Sequence, residues 1–175
     1  MSWRKPIAPL LAAAALLWGT AGCGFQPLYG EQANAVSEQA LAEVRISPLR
    51  DRVGQLLHIR LSKNMHPRGP ARVAKWDLGI QLISRTEQLG IRKDETATRA
   101  NLVLEAKFAL RDVGTGKPAF QGRSVITISY NILESRFGTV ASRSDAERRA
   151  TRELGDNIKN RVALFLAQRT TASAR

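Results

Sequence analysis

The chain has 175 residues, which is enough for one domain or, at most, two. Hydrophobic residues make up 43% and charged residues 24%, proportions that exclude wholesale disorder. The 27 Lys and Arg residues outnumber the 15 Asp and Glu residues, and the net charge of +12 predicts a polyanionic partner: nucleic acid, anionic lipid or an acidic glycan. One cysteine excludes an internal disulfide framework and any multi-cysteine metal site.

The first residues have the pattern of a bacterial export signal. Arg4 and Lys5 precede an apolar run over residues 7–18, which is shorter than the roughly 20 residues of a transmembrane helix. Small residues then lead to Cys23, and Ala-Gly-Cys resembles a lipobox, although Thr20 stands where Leu is usual. We predict a signal peptide over 1–22 and a lipid on Cys23; the alternative is a plain signal peptide with a buried free cysteine.

Lipidation of Cys23 would supply a membrane anchor. The thiol can carry a diacylglyceryl thioether, and the new α-amine can be acylated after cleavage. One acyl chain binds a membrane only marginally, whereas two or three form a stable anchor. Gly24 follows the cysteine. By resemblance to lipoprotein sorting, the absence of Asp there indicates the outer membrane.

The mature chain divides into a lipidated tether over 23–39, one α+β domain over 40–169 and a flexible tail over 170–175. A short strand ends at Pro48, where alternation stops. Asp51 then caps a helix with apolar residues at helical spacing, which ends near Asn64.

Three alternating segments and a final helix complete the domain. The segments 76–83, 99–111 and 120–132 each place apolar side chains at even-numbered positions, and short turns join them as an antiparallel meander. Ser144 and Glu147 match a capping box for the last helix, which could also begin nearer Val140. The order β-α-β-β-β-α predicts a two-layer sandwich, a four-stranded sheet with two helices packed on one face. The opposite face is mostly polar and includes Lys107 and Arg123, with Ile83, Val103 and Val125 among the polar residues, so it is suited to water or a wet interface.

No catalytic constellation is present in the sequence, so we predict that the protein is not an enzyme. Residues 114–117 partly match a phosphate-binding loop, but Pro118 stands where Ser or Thr should bind magnesium, which favours a hairpin turn. His58 and His66 have no partner at metal-ligand spacing and are interpreted as structural. We expect neither a metal nor a cofactor beyond the covalent lipid.

Basic residues near the hairpin tips are candidates for binding phosphate groups. Arg92 and Lys93 lie at one predicted tip and Lys117 at the other. Gly114 and Gly116 beside Lys117 would leave space for a phosphate to reach backbone amides. Successive tips of a meander lie at opposite ends, so the two are not expected to grip one ligand together. The arginines of the final helix are most simply a solvated face.

The mature N-terminus carries a family resemblance. Residues 23–30, Cys-Gly-Phe-Gln-Pro-Leu-Tyr-Gly, resemble the start of the mature LPS-assembly lipoproteins of the LptE family. Residues 93–102 and 129–132 and the Arg-rich final helix are similar to alphaproteobacterial members. The resemblance implies an outer-membrane protein that plugs the β-barrel of the LPS translocon, helps it assemble and binds lipopolysaccharide. It supplies no residue-by-residue map of the LPS contacts.

Two other classes of function remain open from the residues alone. A helix, three strands and a helix with excess positive charge is also the outline of a double-stranded RNA-binding domain. The export signal argues against nucleic acid, and the lysine cluster typical of that domain is missing from the start of the final helix. The other alternative is a periplasmic lipoprotein adaptor that binds only proteins.

Overall fold

A computed structural model of the chain describes residues 38–70, 72–91 and 97–173. The elements follow the order β1 (Val44–Ile46), α1 (Arg52–Met65), β2 (Trp76–Ile91), β3 (Ala97–Asp112), β4 (Pro118–Asn131) and α2 (Arg136–Ser173). A helical turn over residues 38–42 precedes β1. The predicted α+β fold with the order β-α-β-β-β-α is confirmed.

The four strands form one mixed sheet in the order β1-β2-β3-β4. β1 runs parallel to β2, with Val44 opposite Trp76, because α1 returns the chain to the same end of the sheet. β2, β3 and β4 pair antiparallel, as the predicted meander requires.

β2 is about twice as long as the sequence indicates. The predicted segment ends at residue 83, whereas the strand continues to Ile91. Residues 84–88 are polar at odd and even positions alike and are exposed, so alternation gives no signal there. The ladder with β3 nevertheless continues, with Thr86 opposite Leu102 and Ile91 opposite Ala97. Backbone hydrogen bonding to a well-buried neighbour therefore extends β2 beyond its own apolar pattern.

A capping side chain precedes the first residue of both α1 and α2, but the sequence predicted the correct capping residue only for α1. The side chain of Asp51 accepts a hydrogen bond of 2.7 Å from the Gly54 amide, which confirms the predicted start of α1. α2 begins at Arg136, after Ser135, whose hydroxyl accepts a bond of 3.3 Å from the Gly138 amide. The capping box predicted at Ser144 is therefore wrong.

The middle and the end of α2 also differ from the sequence interpretation. Glu147 does not cap a helix: its carboxylate lies 3.3 Å from Arg143 on the preceding turn and 3.7 Å from Arg52 of α1. α2 runs for 38 residues and continues to Ser173, so the segment predicted as a flexible tail is helical over most of its length. Within the described residues, no helix combines the length and apolar character needed to cross a membrane.

One core lies between the sheet and the helices. All even-numbered side chains of β3 from Ala100 to Leu110 are buried, as their alternation predicts. The helices contribute apolar side chains to the same core, namely Leu57, Leu61, Met65, Ala146, Ala150, Leu154, Ile158 and Val162. Leu166 completes the apolar stripe of α2. Phe165 is half-buried and stacks on Phe120 at 5.0 Å between ring centroids.

Candidate functional site

Of the four residues singled out from the sequence, the structure describes one. Cys23, Arg92 and Lys93 lie outside the described residues. Lys117 is exposed in the turn between β3 and β4, at the opposite end of β3 from Ala97. Arg111 lies fourteen positions after Ala97 in the strand, which is about 46 Å at a rise of 3.3 Å per residue. The Lys117 turn is therefore a separate place from the far end of the β2–β3 hairpin.

The turn beside Lys117 already contains an internal anion. The carboxylate of Asp112 accepts hydrogen bonds from the Thr115 amide at 2.8 Å and the Thr115 hydroxyl at 3.2 Å. The Gly116 amide donates to the Asp112 carbonyl at 2.8 Å. The hydrogen bond from the Thr115 amide lowers the pKa of Asp112 below its ordinary value. The amides expected to receive a phosphate are thus engaged, and only the Lys117 ammonium remains available to a ligand.

The odd-numbered side chains of the strands form the face of the sheet opposite the helices, which we call the open face. Its cross-strand rows follow from the register. Gln81, Lys107 and Arg123 form one row, and Gly79, Ala109 and Gln121 form the next. Arg111 follows in the row beyond, opposite Asp77. Small residues in the middle row leave an open concavity of about 680 Å³ bordered by the basic side chains.

A buried carboxylate lies next to this concavity. Glu105 is on the open face but only 7% of its side chain is exposed. It accepts a hydrogen bond of 2.8 Å from Arg123 Nε, and Arg85 lies 3.9 Å away. The hydrogen bond from Arg123, aided by the nearby positive charges, lowers the pKa of Glu105 below its ordinary value. Glu105 therefore stays ionised and holds Arg123 at the border of the concavity.

The direction of that pKa shift predicts how stability depends on pH. Because the folded state binds the Glu105 proton less tightly than the unfolded state, its contribution is complete above the ordinary carboxyl pKa and is lost as the pH falls through the lowered pKa. Glu105→Gln should therefore show a smaller loss of stability than the wild type between pH 6 and pH 3, in denaturant unfolding at each pH. Asp112 and Asp145 also have lowered pKa values and are common to both proteins. Parallel pH profiles for the two proteins would contradict the role given to Glu105.

The histidines take structural positions. His66 follows α1, and its Nε2 lies 2.8 Å from the carbonyl oxygen of Val44, so it connects the helix end to β1. His58 is half-buried on α1. No group of three or more His, Cys, Asp or Glu residues that could hold a metal ion occurs in the part of the chain that the structure describes.

The sequence interpretation missed two features of the open face. It placed Lys107 and Arg123 there but did not single out Arg111 or Glu105, although both share the odd parity of β3. Their odd-numbered positions in β3 were enough to assign both residues to the open face. The adjacency of Lys107 and Arg123 required the register between β3 and β4.

The domain has the two-layer α+β architecture of small bacterial lipoproteins of known structure. A putative lipoprotein from Caulobacter crescentus is 23% identical, with a TM-score of 0.64 over 76% of this chain and 96% of that one. An uncharacterized lipoprotein B from Nitrosomonas europaea is 15% identical, with a TM-score of 0.56 over 70% and 82%. A minor lipoprotein from Acinetobacter baumannii is 17% identical, with a TM-score of 0.50 over 69% and 88%. At these identities the likeness establishes the fold alone.

The sequence comparison identifies the family. The family model described as "LptE: Lipopolysaccharide-assembly" matches residues 39–162, and the chain belongs to this family. Among curated proteins, no significant sequence match was found. The family consists of non-enzymatic assembly lipoproteins, which confirms both the resemblance and the prediction that the protein is not an enzyme.

Proposed function

We propose that this protein is a lipid-anchored component of the outer membrane that plugs the β-barrel of the LPS translocon, helps that barrel assemble and binds lipopolysaccharide during its insertion into the outer leaflet. The observation that carries the proposal is the family match over residues 39–162. The lipobox cysteine at residue 23, sixteen positions ahead of the match, supports the anchor. The proposed position is on the periplasmic side and within the barrel lumen.

The charge of the chain supports binding to lipopolysaccharide. Lipid A and the core sugars carry phosphate groups, and the chain, whose net charge is +12 in full and +10 without Arg4 and Lys5 of the predicted signal peptide, attracts them. Cationic side chains can also compete with the divalent cations that bridge neighbouring LPS molecules. Insertion requires no covalent chemistry from this protein. Lys117 is an exposed candidate contact, and Arg92 and Lys93 remain proposed contacts.

Co-purification from detergent-solubilised outer membrane tests this function. We expect the full chain, tagged at its C-terminus, to retain the translocon β-barrel and lipopolysaccharide, and its intact mass to show acyl chains on Cys23. Cys23→Ala should lose the acyl chains while its circular dichroism stays unchanged, because the described domain begins after residue 37.

Two results would contradict the proposal. Retention of a soluble periplasmic protein without the barrel would support the adaptor class instead. A mature N-terminus at another residue, without lipid, would exclude the anchor.

A further inference from the structure

We propose that the concavity on the open face of the sheet is a binding site for a phosphorylated sugar, held between Lys107, Arg111 and Arg123. The inference rests on the proposed function only for the source of that sugar, the headgroup of lipopolysaccharide. This site lies on the open face of the sheet, whereas the sequence pattern indicated phosphate binding at the hairpin tips.

The shape of the concavity suits a sugar ring. Gly79 and Ala109 lie opposite each other on β2 and β3, so two strands meet at the floor with almost no side-chain volume above the backbone. A Cβ added at Gly79 would meet only the Ala109 carbonyl oxygen, at 4.0 Å, which shows how open the floor is. Gln81 and Gln121 flank this floor. Their amides can both donate and accept hydrogen bonds, as sugar hydroxyls require.

The charge of the concavity suits a phosphate. The side chains that line it include three cations and no carboxylate. Among the described residues, neither Lys107 nor Arg111 is within 4.0 Å of an acidic group in any ion pair found. The register partner of Arg111 is Asp77, but that carboxylate instead accepts from Arg45 at 2.9 Å and from Ser47 at 3.3 Å. Lys107 and Arg111 are thus available to an external anion.

The charge of Lys107 is only partly compensated in the free protein. It lies directly opposite Arg123 on the neighbouring strand, and like charges opposite each other destabilise a sheet. Glu105 accepts a hydrogen bond from Arg123 Nε and also attracts the Lys107 ammonium, whose charge helps to lower the pKa of Glu105, but no ion pair within 4.0 Å joins Glu105 and Lys107. An anion placed between the two cations would remove the repulsion. A planar guanidinium and an ammonium beside it together supply directed and point-charge contacts to phosphate oxygens.

The lining also indicates which part of an amphiphile would bind. The large exposed apolar side chains of the described residues lie elsewhere, at Phe137 and Val140 of α2 and at Ile59 of α1 among others. The concavity is lined by the apolar residues Ile80, Phe108 and Ala109 as well as by amides and cations, but it is open to solvent and cannot shield a long acyl chain from water. We therefore assign it the saccharide and phosphate of a glycolipid and not its hydrocarbon.

Titration with small probes tests the site directly. The probes are glucosamine 6-phosphate, glucosamine and inorganic phosphate, added to the full mature chain in detergent and followed by calorimetry. We expect glucosamine 6-phosphate to bind more tightly than either other probe. Lys107→Gln/Arg111→Gln should weaken its binding about tenfold, since two partly solvated charged contacts are lost. The control Lys63→Gln/Arg152→Gln removes the same charge from exposed positions on the helices and should change binding less than about twofold.

Stability of the free protein gives a second readout. Because repulsion from Arg123 and attraction to Glu105 oppose each other, Lys107→Gln should leave the thermal unfolding midpoint nearly unchanged in the absence of ligand. Stabilisation by glucosamine 6-phosphate should be smaller in this variant than in the wild type. If Lys107→Gln were less stable than the wild type without ligand and were stabilised by glucosamine 6-phosphate as much as the wild type, the proposed site would be wrong.

The remaining outcomes separate this site from the proposed function. If Lys107→Gln/Arg111→Gln and Lys63→Gln/Arg152→Gln weakened the binding of glucosamine 6-phosphate equally, the proposed site would be wrong. It would also be wrong if glucosamine bound as tightly as glucosamine 6-phosphate. If inorganic phosphate bound as tightly as glucosamine 6-phosphate, the site would not recognise the sugar, and free phosphate would be its ligand. LPS micelles bound equally by wild type and site variant, but lost in Lys117→Glu, would overturn the concavity and leave the proposed function intact. Binding of glucosamine 6-phosphate without binding of LPS would support the site in the concavity and contradict the proposed function.

Discussion

Leu104→Ala should lower the free energy of unfolding by about 2–5 kcal/mol, the range for truncating a large buried side chain. Leu104 is fully buried on the helix side of β3, opposite Ile126 of β4 and Ser84 of β2. The sheet backbone on both sides limits how far the structure can collapse into the space left behind. Denaturant unfolding followed by circular dichroism measures the loss.

Lys107→Ala is the matched control on the same strand. Lys107 has the opposite parity and is exposed, so its truncation should change stability by less than about 0.5 kcal/mol. If Lys107→Ala were the more destabilising of the two, the faces of β3 would be exchanged, because a shift of one residue moves every side chain to the other face.

Gly122→Ala should destabilise the protein by about 1–3 kcal/mol through overpacking. A Cβ at this position would lie 2.5 Å from Cζ and 2.9 Å from Cε2 of the Phe108 ring. The ring cannot withdraw easily, because Arg161 lies over it at 5.2 Å and Phe120 packs beside it at 6.1 Å. Thermal or denaturant unfolding would measure the effect.

Two comparisons isolate the cause of that loss. Gly79→Ala adds the same methyl group where the nearest atom is 4.0 Å away, and it should be neutral or slightly stabilising. In a Phe108→Leu background, Gly122→Ala should be less destabilising than in the wild type, because the ring that it meets is gone. An unchanged penalty in that background would show that Phe108 is not the obstacle.

Local patterns were sufficient where burial and capping are decided within one segment. Alternation over β3 identified every side chain that packs under the helices, because the period of a strand assigns faces without reference to its neighbours. Asp51 identified the start of α1, because its side chain bonds an amide only three residues ahead. The excess of positive charge and the Ala-Gly-Cys pattern that ends at Cys23 are likewise properties of the sequence itself.

Competition between local signals was decided by the tertiary structure. Ser144 and Glu147 match a capping box, but Ser135 caps α2 earlier and Glu147 is drawn to arginines on two helices. The length of β2 was set by its partner strand, since a ladder of backbone hydrogen bonds does not depend on side-chain pattern. Gly114 and Gly116 did indicate a turn, but the Asp112 carboxylate took the place expected for an external phosphate.

The sequence by itself determined the fold class, the family resemblance and the faces of the strands. Only the tertiary structure placed Lys107 opposite Arg123 and opened a floor at Gly79 and Ala109 between them and Arg111. The physical reason is that these residues come from three strands separated by long stretches of chain. Parity assigns each of them to the open face, but only the register of the hydrogen-bonded ladders determines which become neighbours.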